Sequence, residues 1–232
     1  MERLDKILAH LNYGSRKEVK EYIRKGFIMV NGETIYNDDF KVNPSDDEIT
    51  FDGMNVSYEE KVYIMLNKPE DVVSATFDPR YKTVIDLMSE YAKQGVFPVG
   101  RLDIDTTGLL IITNDGLLAH KLLSPKYHVW KTYKATFTGE FKASYYDSFK
   151  NGIILDDGYK CLEAKIELES ENVALISIHE GKYHQVKRMF EALNMEVIKL
   201  ERISFGPLSL DRSLKLGEYR SLTEEEIALL KN

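Results

Sequence analysis

A chain of 232 residues, 43% hydrophobic and 30% charged, can bury a real core and has the composition of an ordinary globular protein. No apolar run approaches the roughly 18 residues of a membrane span, the start MERLDKILAH is not expected to act as a secretory leader, and the lone Cys161 cannot form an internal disulfide. The net charge of −7 argues against a nucleic-acid partner only on average, because residues 1–31 hold seven basic groups against four acids, whereas residues 32–60 hold nine acids against Lys41.

The first elements follow from spacing. Leu4, Ile7, Leu8 and Leu11 form the stripe of an amphipathic helix, which Asn12-Tyr13-Gly14 ends. Ser15-Arg16-Lys17-Glu18 has the spacing of a capping box, so a second helix is predicted with Val19, Tyr22 and Ile23 buried and Gly26 at its C-terminal cap. Phe27–Val30 and Thr34–Tyr36 read as strands joined by a tight Asn31-Gly32 turn, Ile49–Phe51 as a further strand, and the acidic stretch Asp52–Glu60 as a linker. Two helices followed by a small hairpin sheet, with the strings RLDKILA, GSRKEV and VNG, resemble the S4 domain, a small RNA-binding module. That resemblance implies RNA contact by Arg3, Arg16, Lys17, Lys20, Arg24 and Lys25, and phosphate neutralisation by such a cluster is salt-dependent.

Beyond the linker the composition changes. Strands are predicted at Lys61–Asn67, Leu109–Thr113, Val129–Thr138, Ala174–Ile178 and Val197–Ile203. Helices are predicted at Val84–Met88, Leu117–Leu123 and Phe141–Lys150, and after Gly181 with Val186, Met189, Phe190 and Leu193 on its core face. A last one starts at the capping box Thr223-Glu224-Glu225-Glu226. Irregular alternation of the two types indicates an α+β fold with a mixed, largely antiparallel sheet and flanking helices. Residues 1–58 are expected to form the S4-like domain and linker, and residues 59–232 a larger catalytic domain.

One stretch carries most of the chemistry. Gly100–Gly116 reads GRLDIDTTGLLIITNDG: a polar loop with Asp103 and Asp105, then a short apolar strand closed by a turn signal. A carboxylate-bearing loop on a rigid strand is a common setting for catalytic groups. The string resembles the signature of the RsuA-type pseudouridine synthases, and two further segments strengthen the likeness: Lys131-Thr132-Tyr133 and the run EGKYHQVKRM of Glu180–Met189.

That resemblance implies isomerisation of a uridine within RNA. Asp103 would be the reacting carboxylate, attacking C1′ or the uracil ring or removing the C2′ proton. Tyr133 would stack on the base or relay a proton, and Lys187 would be the cation that partners Asp103. Arg188 is the alternative partner or a substrate residue contacting phosphate, since adjacent helical residues point about 100° apart and only one is expected to face the site. Tyr183 lies one turn from Lys187, and Leu200 matches an apolar position sheltering the aspartate. Arg101 and Arg202 suit either RNA phosphate or a local salt bridge, and Asp105 a hydrogen bond within the loop.

No redox change or group donor is needed, so no cofactor is expected. His10, His120, His128, His179 and His184 show no metal-ligand spacing. The expected partner is ribosomal RNA or a ribosomal-subunit assembly intermediate, handled by a monomer in the cytoplasm, with no membrane partner. The string KYHQVKRM points to the small-subunit 16S rRNA group, with a large-subunit enzyme as the alternative. A non-catalytic RNA-binding assembly factor would be expected to have lost Asp103, Tyr133 or the basic partner. A glycosidase fits the paired aspartates but not the S4-like module.

Overall fold

The computed structural model describes residues 1–11, 13–44, 46–56 and 61–231. The backbone divides into two compact units, residues 1–62 together with 88–96, and residues 63–87 together with 97–232.

In the first unit, β1 (Glu2–Arg3) leads into α1 (Leu4–His10) and α2 (Arg16–Arg24). The capping box is present: the Glu18 amide donates to Ser15 Oγ at 3.3 Å and the Ser15 amide donates to Glu18 Oε2 at 2.7 Å. Strands β2 (Ile28–Val30), β3 (Glu33–Thr34), β4 (Lys41–Val42), β5 (Ile49–Phe51) and β6 (Met54–Asn55) follow. Four of them make one sheet in the order β3-β2-β5-β6, while β4 pairs with β1. Leu4, Ile7, Leu8 and Leu11 pack with Val19, Ile23, Ile28 and Val30 as one core.

The linker reading of Asp52–Glu60 needs correction at its start. Asp52-Gly53 turns with φ of +49° and +76°, and β6 pairs back on β5, so this acidic stretch begins as a second hairpin like the one at Asn31-Gly32. Residues 57–60 of that stretch lie outside the described residues.

In the second unit the strands are β7 (Tyr63–Lys68), β8 (Phe97–Pro98), β9 (Thr106–Thr113), β10 (Lys131–Thr138), β11 (Lys165–Ser170), β12 (Val173–Ile178), β13 (Glu196–Phe205), β14 (Leu208–Ser209) and β15 (Tyr219–Ser221). The helices are α3 (Gly116–Leu123), α4 (Tyr145–Asn151), α5 (Gln185–Glu191) and α6 (Glu224–Lys231). The sheet runs β11-β12-β10-β13-β9-β7-β15, and only the β13–β9 pairing is parallel among the described strands, so the mixed, largely antiparallel α+β expectation holds.

Tyr63 and Met65 of β7 and Leu109 and Ile111 of β9 share a core with Leu118 and Leu122 of α3 and Leu230 of α6. Their strand neighbours Ile64, Leu66, Leu110 and Ile112 point the other way and are also fully buried. Elsewhere Phe137, Phe149 and Phe190 pack ring against ring between β10, α4 and α5.

Several elements differ from expectation: the strand expected at Thr34–Tyr36 is Glu33–Thr34, and Leu193, expected on a helix's core face, lies half-buried beyond the end of α5. Strand β9 begins at Thr106, inside the segment read as loop, because parallel pairing with β13 captures Thr106–Gly108. The helix expected from Phe141 starts at Tyr145, while Phe141 packs against Phe137 and Phe149. The segment Val84–Met88 forms only a 3-10 turn, Ile85–Leu87.

Candidate active site

The Asp103 loop is held mainly by backbone carbonyls. Lys68, at the end of β7, is fully buried, and its ammonium donates to the carbonyls of Pro69, Asp103 and Thr106 at 3.0 Å and of Ile104 at 3.3 Å. Ser74 donates its hydroxyl to the Leu102 carbonyl at 2.9 Å and accepts from the Leu102 amide at 3.0 Å. Burial pushes the Lys68 pKa down to about 8 against the pull of Asp105, Asp103, Glu70 and Asp71. In the sequence Lys68 only closes, with Pro69, the strand expected at Lys61–Asn67. Its one signal was a lysine closing an apolar run just before a proline.

This loop forms one wall of an open cleft of about 1110 Å³, also lined by Lys131, Tyr133, Glu180, Tyr183, His184, Leu200 and Arg202. Asp103, Tyr133, Leu200, Arg101 and Tyr183 of the sequence-derived set therefore share one cavity. Register explains part of this. On β10 Tyr133 pairs with Arg202 of β13, and Arg202 pairs on its other side with Gly108 of β9. Gly108 has φ +102°, and a Cβ there would meet the Arg202 carbonyl oxygen at 2.3 Å, so only glycine allows the two strands this close.

The Asp103 side chain is 28% exposed, with Oδ1 3.6 Å from His184 Nε2 and Oδ2 3.7 Å from Lys187 Nζ. Lys187 hydrogen-bonds instead to Asp105, at 2.6 and 2.7 Å to its two oxygens. Asp105 is thus more than a loop hydrogen-bonder: it fixes the ammonium that faces Asp103. Burial alone would raise the Asp105 carboxyl, but the hydrogen bond and charge of Lys187 outweigh it and hold it below the usual carboxylate range.

Arg188 is not brought to the cleft. Its guanidinium pairs with Asp156 at 2.5 Å and Asp157 at 2.7 Å, which corrects its assignment to substrate and leaves Lys187 as the cation beside Asp103. His184, which the sequence offered only as one of five histidines, sits at φ +47° with its ring stacked on Tyr183 at 3.8 Å between centroids.

Leu200 is buried beside this group, and Tyr133 is 8% exposed. Arg202 corrects its own expectation. It is 2% exposed, far too buried for a backbone phosphate, and among the described residues it forms no salt bridge. Its Nε donates to the Leu109 carbonyl at 2.7 Å, and Nη1 lies 3.5 Å from the Tyr133 hydroxyl.

In the first unit, three of the six basic residues are paired with acids: Arg3 with Asp5 and Asp39, Lys20 with Asp5 and Asp38, and Arg24 with Asp38. Arg16, Lys17 and Lys25 are exposed and form no ion pair among the described residues.

A carboxylate in a half-open cleft, flanked by a cation, an imidazole and a buried phenol, can act on a planar ring and its sugar without a metal ligand set. Comparison with known proteins agrees with that chemistry. The family profile of RNA pseudouridylate synthases matches residues 62–192, and that of the S4 domain residues 2–48. The chain is 46% identical to the uncharacterized RNA pseudouridine synthase YtzG of Bacillus subtilis over 98% of each chain. It is 40% identical to the ribosomal large subunit pseudouridine synthase B of the same organism, covering 100% of this chain and 96% of that one. It is also 40% identical to the ribosomal small subunit pseudouridine synthase A of Vibrio cholerae, covering 97% and 98%. A crystal structure of a pseudouridylate synthase superposes with a TM-score of 0.71 at 36% identity, covering 99% of this chain and all of that one. From its cleft, its profile and its full-length relatives alike, the chain belongs to the RNA pseudouridylate synthase family and carries an N-terminal S4 domain.

Proposed function

We propose that this protein isomerises a uridine of ribosomal RNA to pseudouridine in the cleft, with Asp103 as the reacting carboxylate. The observation that carries this reading is the Asp103 carboxylate on a loop anchored through Lys68, within 4 Å of both Lys187 and His184, opening onto a cavity walled by Tyr133 and Leu200. The substrate uridine must leave its stack, at a cost of a few kcal/mol that the cleft offsets. Tyr133 and Leu200 supply a flat, apolar slot for the ring, and exposed Tyr183 and Arg101 at the rim meet the flanking nucleotides. Lys187, steadied by Asp105, sets a positive charge beside the Asp103 carboxylate and fixes its direction.

Residues 1–58 serve as the RNA-capturing module and residues 59–232 as the catalytic domain, acting as a monomer in the cytoplasm on ribosomal RNA or a subunit-assembly intermediate. Within ribosomal RNA the string KYHQVKRM favours the small subunit. The relatives of both kinds stand at the same identity, so the subunit rests on that string alone. The test is to incubate the protein with 16S and with 23S transcripts and map pseudouridine. Pseudouridine at one 16S position is the expected result. A 23S product overturns the subunit assignment, and no product on either RNA, free or in assembly particles, overturns the activity.

A further inference from the structure

Two buried cations that line the cleft have no ion-pair partner among the described residues. Lys131 is 6% exposed and Arg202 is 2% exposed. Buried charges are costly unless paired. Glu180 in the lining attracts Lys131 without forming an ion pair with it, its oxygens accepting instead from the Tyr159 hydroxyl at 2.7 Å, the Leu162 amide at 2.8 Å and Gln185 Nε2 at 2.6 Å.

Both cations keep donors in reserve. Lys131 Nζ makes one hydrogen bond, to the Val129 carbonyl at 3.1 Å. Among the described residues Arg202 Nη2 has no hydrogen-bond partner, and neither does the buried hydroxyl of Thr106, which lines the same cavity. The cations lie over one ring, Lys131 Nζ 5.4 Å and Arg202 Cζ 5.0 Å from the Phe205 centroid, so they form one group. Close strand packing at Gly108 fixes the backbone of Arg202. A structure that holds two positive charges unpaired in a substrate cavity is organised for negative charge that arrives with the substrate.

The isomerisation supplies such charge. If a carboxylate attacks C1′, the C1′–N1 electron pair stays on N1 and spreads to O2 and O4. If it attacks the ring at C6, the charge spreads over C5 and O4. If it removes the C2′ proton, the base is expelled as the same anion. In each route the pyrimidine becomes anionic, the C1′–N1 bond breaks and C5 bonds to C1′; the carboxylate then leaves C1′ or C6, or returns its proton to C2′, while the C5 proton leaves and N1 gains a proton, so atoms and charge balance.

We propose that Lys131 and Arg202 are catalytic residues that stabilise the negative charge developing on the uracil ring, the ribose lying toward Asp103 and the base toward this cationic end. The proposal rests on the isomerase reading above. Their positions also select for the base: a cytosine offers an amino donor where uracil presents O4, and would face two cations with it.

The test uses the full chain and an RNA fragment bearing the mapped uridine, made with uridine or with 5-fluorouridine at that position. Fluorine withdraws electrons and stabilises the ring anion, so removing protein cations should matter less. Lys131→Met and Arg202→Lys are compared with wild type in single-turnover reactions, reading loss of the target nucleoside by chromatography, with RNA binding and thermal unfolding measured beside them. On uridine a fall of about 100-fold is expected for Lys131→Met, against about tenfold on 5-fluorouridine, with the dissociation constant for RNA within threefold. Arg202→Lys keeps the charge and is expected to lose less than Lys131→Met. Equal losses on both substrates, no loss, or losses explained by weaker RNA binding would overturn the proposal; the last would assign the pair to phosphate. If wild type leaves both substrates unchanged, the isomerase reading fails instead.

Discussion

Lys68 shows how much of this site depends on a residue that does no chemistry. A buried ammonium shared among four carbonyls fixes both sides of Asp103. Lys68→Met would remove this charged donor, leaving the Asp103 and Ile104 carbonyls only the Thr106 and Asp71 amides, and a loss of about 3 kcal/mol is expected from the value of hydrogen bonds to charged groups. Turnover should fall more than tenfold while RNA affinity holds, measured by denaturant unfolding and single-turnover kinetics.

Lys68 and Lys131 both titrate near pH 8 because burial disfavours their charge; Lys131 faces Arg202, which adds to the shift, and Glu180, which opposes it. Both are needed charged, so activity should be full below pH 8 and decline as pH rises through it. Folding stability moves the other way. Lysines whose pKa is lowered in the fold favour the folded state more as pH climbs from about 8 toward the ordinary 10.5. A rate that stays level to pH 9.5 would contradict this. Little of it was legible in the sequence, because a lysine's burial depends on the strands packed around it. The carboxylate and the phenol were legible because motif strings mark them, whereas Arg202 suited RNA phosphate or a local salt bridge equally.

At the scale of elements, the apolar patterns were sufficient for both N-terminal helices, for α3 and for the Leu109–Thr113 part of β9. They missed β11, whose residues alternate only between exposed and half-buried and so present no apolar face. They also missed β6, where acidic composition masked a hairpin signal in Asp52-Gly53. The parallel pairing of β9 with β13 joins segments distant in the chain, and local pattern cannot reveal it. Yet this pairing sets Arg202 beside Tyr133. Gly108→Ala should therefore be severe, since its Cβ would collide with backbone at 2.3 Å and adopt a φ unsuited to alanine. A loss of more than about 2 kcal/mol is expected from such strain, seen as a lowered melting temperature. An unchanged melting temperature would mean the strands do not approach so closely.

Over the whole molecule, a chain of net charge −7 must meet a polyanion through local positive surface. In the first unit Asp5, Asp38 and Asp39 already neutralise Arg3, Lys20 and Arg24. Capture should then rest on Arg16, Lys17 and Lys25. Replacing each by alanine is expected to lower the slope of log affinity against log salt by about one for every phosphate left unneutralised. Replacing Arg3 should change that slope far less. Equal effects at Arg3 and Arg16 would show that the acid pairs open when RNA binds. The charge polarity along the chain was visible in the sequence, but which cations are free was not, because Asp38 and Asp39 reach them through the fold.

The central claim is that the carboxylate of residue 103 performs the reaction. Its most direct measurement compares Asp103→Asn with wild type in single-turnover conversion of the mapped ribosomal RNA fragment, with RNA affinity determined in parallel. The variant should bind RNA within threefold of wild type and yield no pseudouridine. Product formed at a rate comparable to wild type would contradict the account.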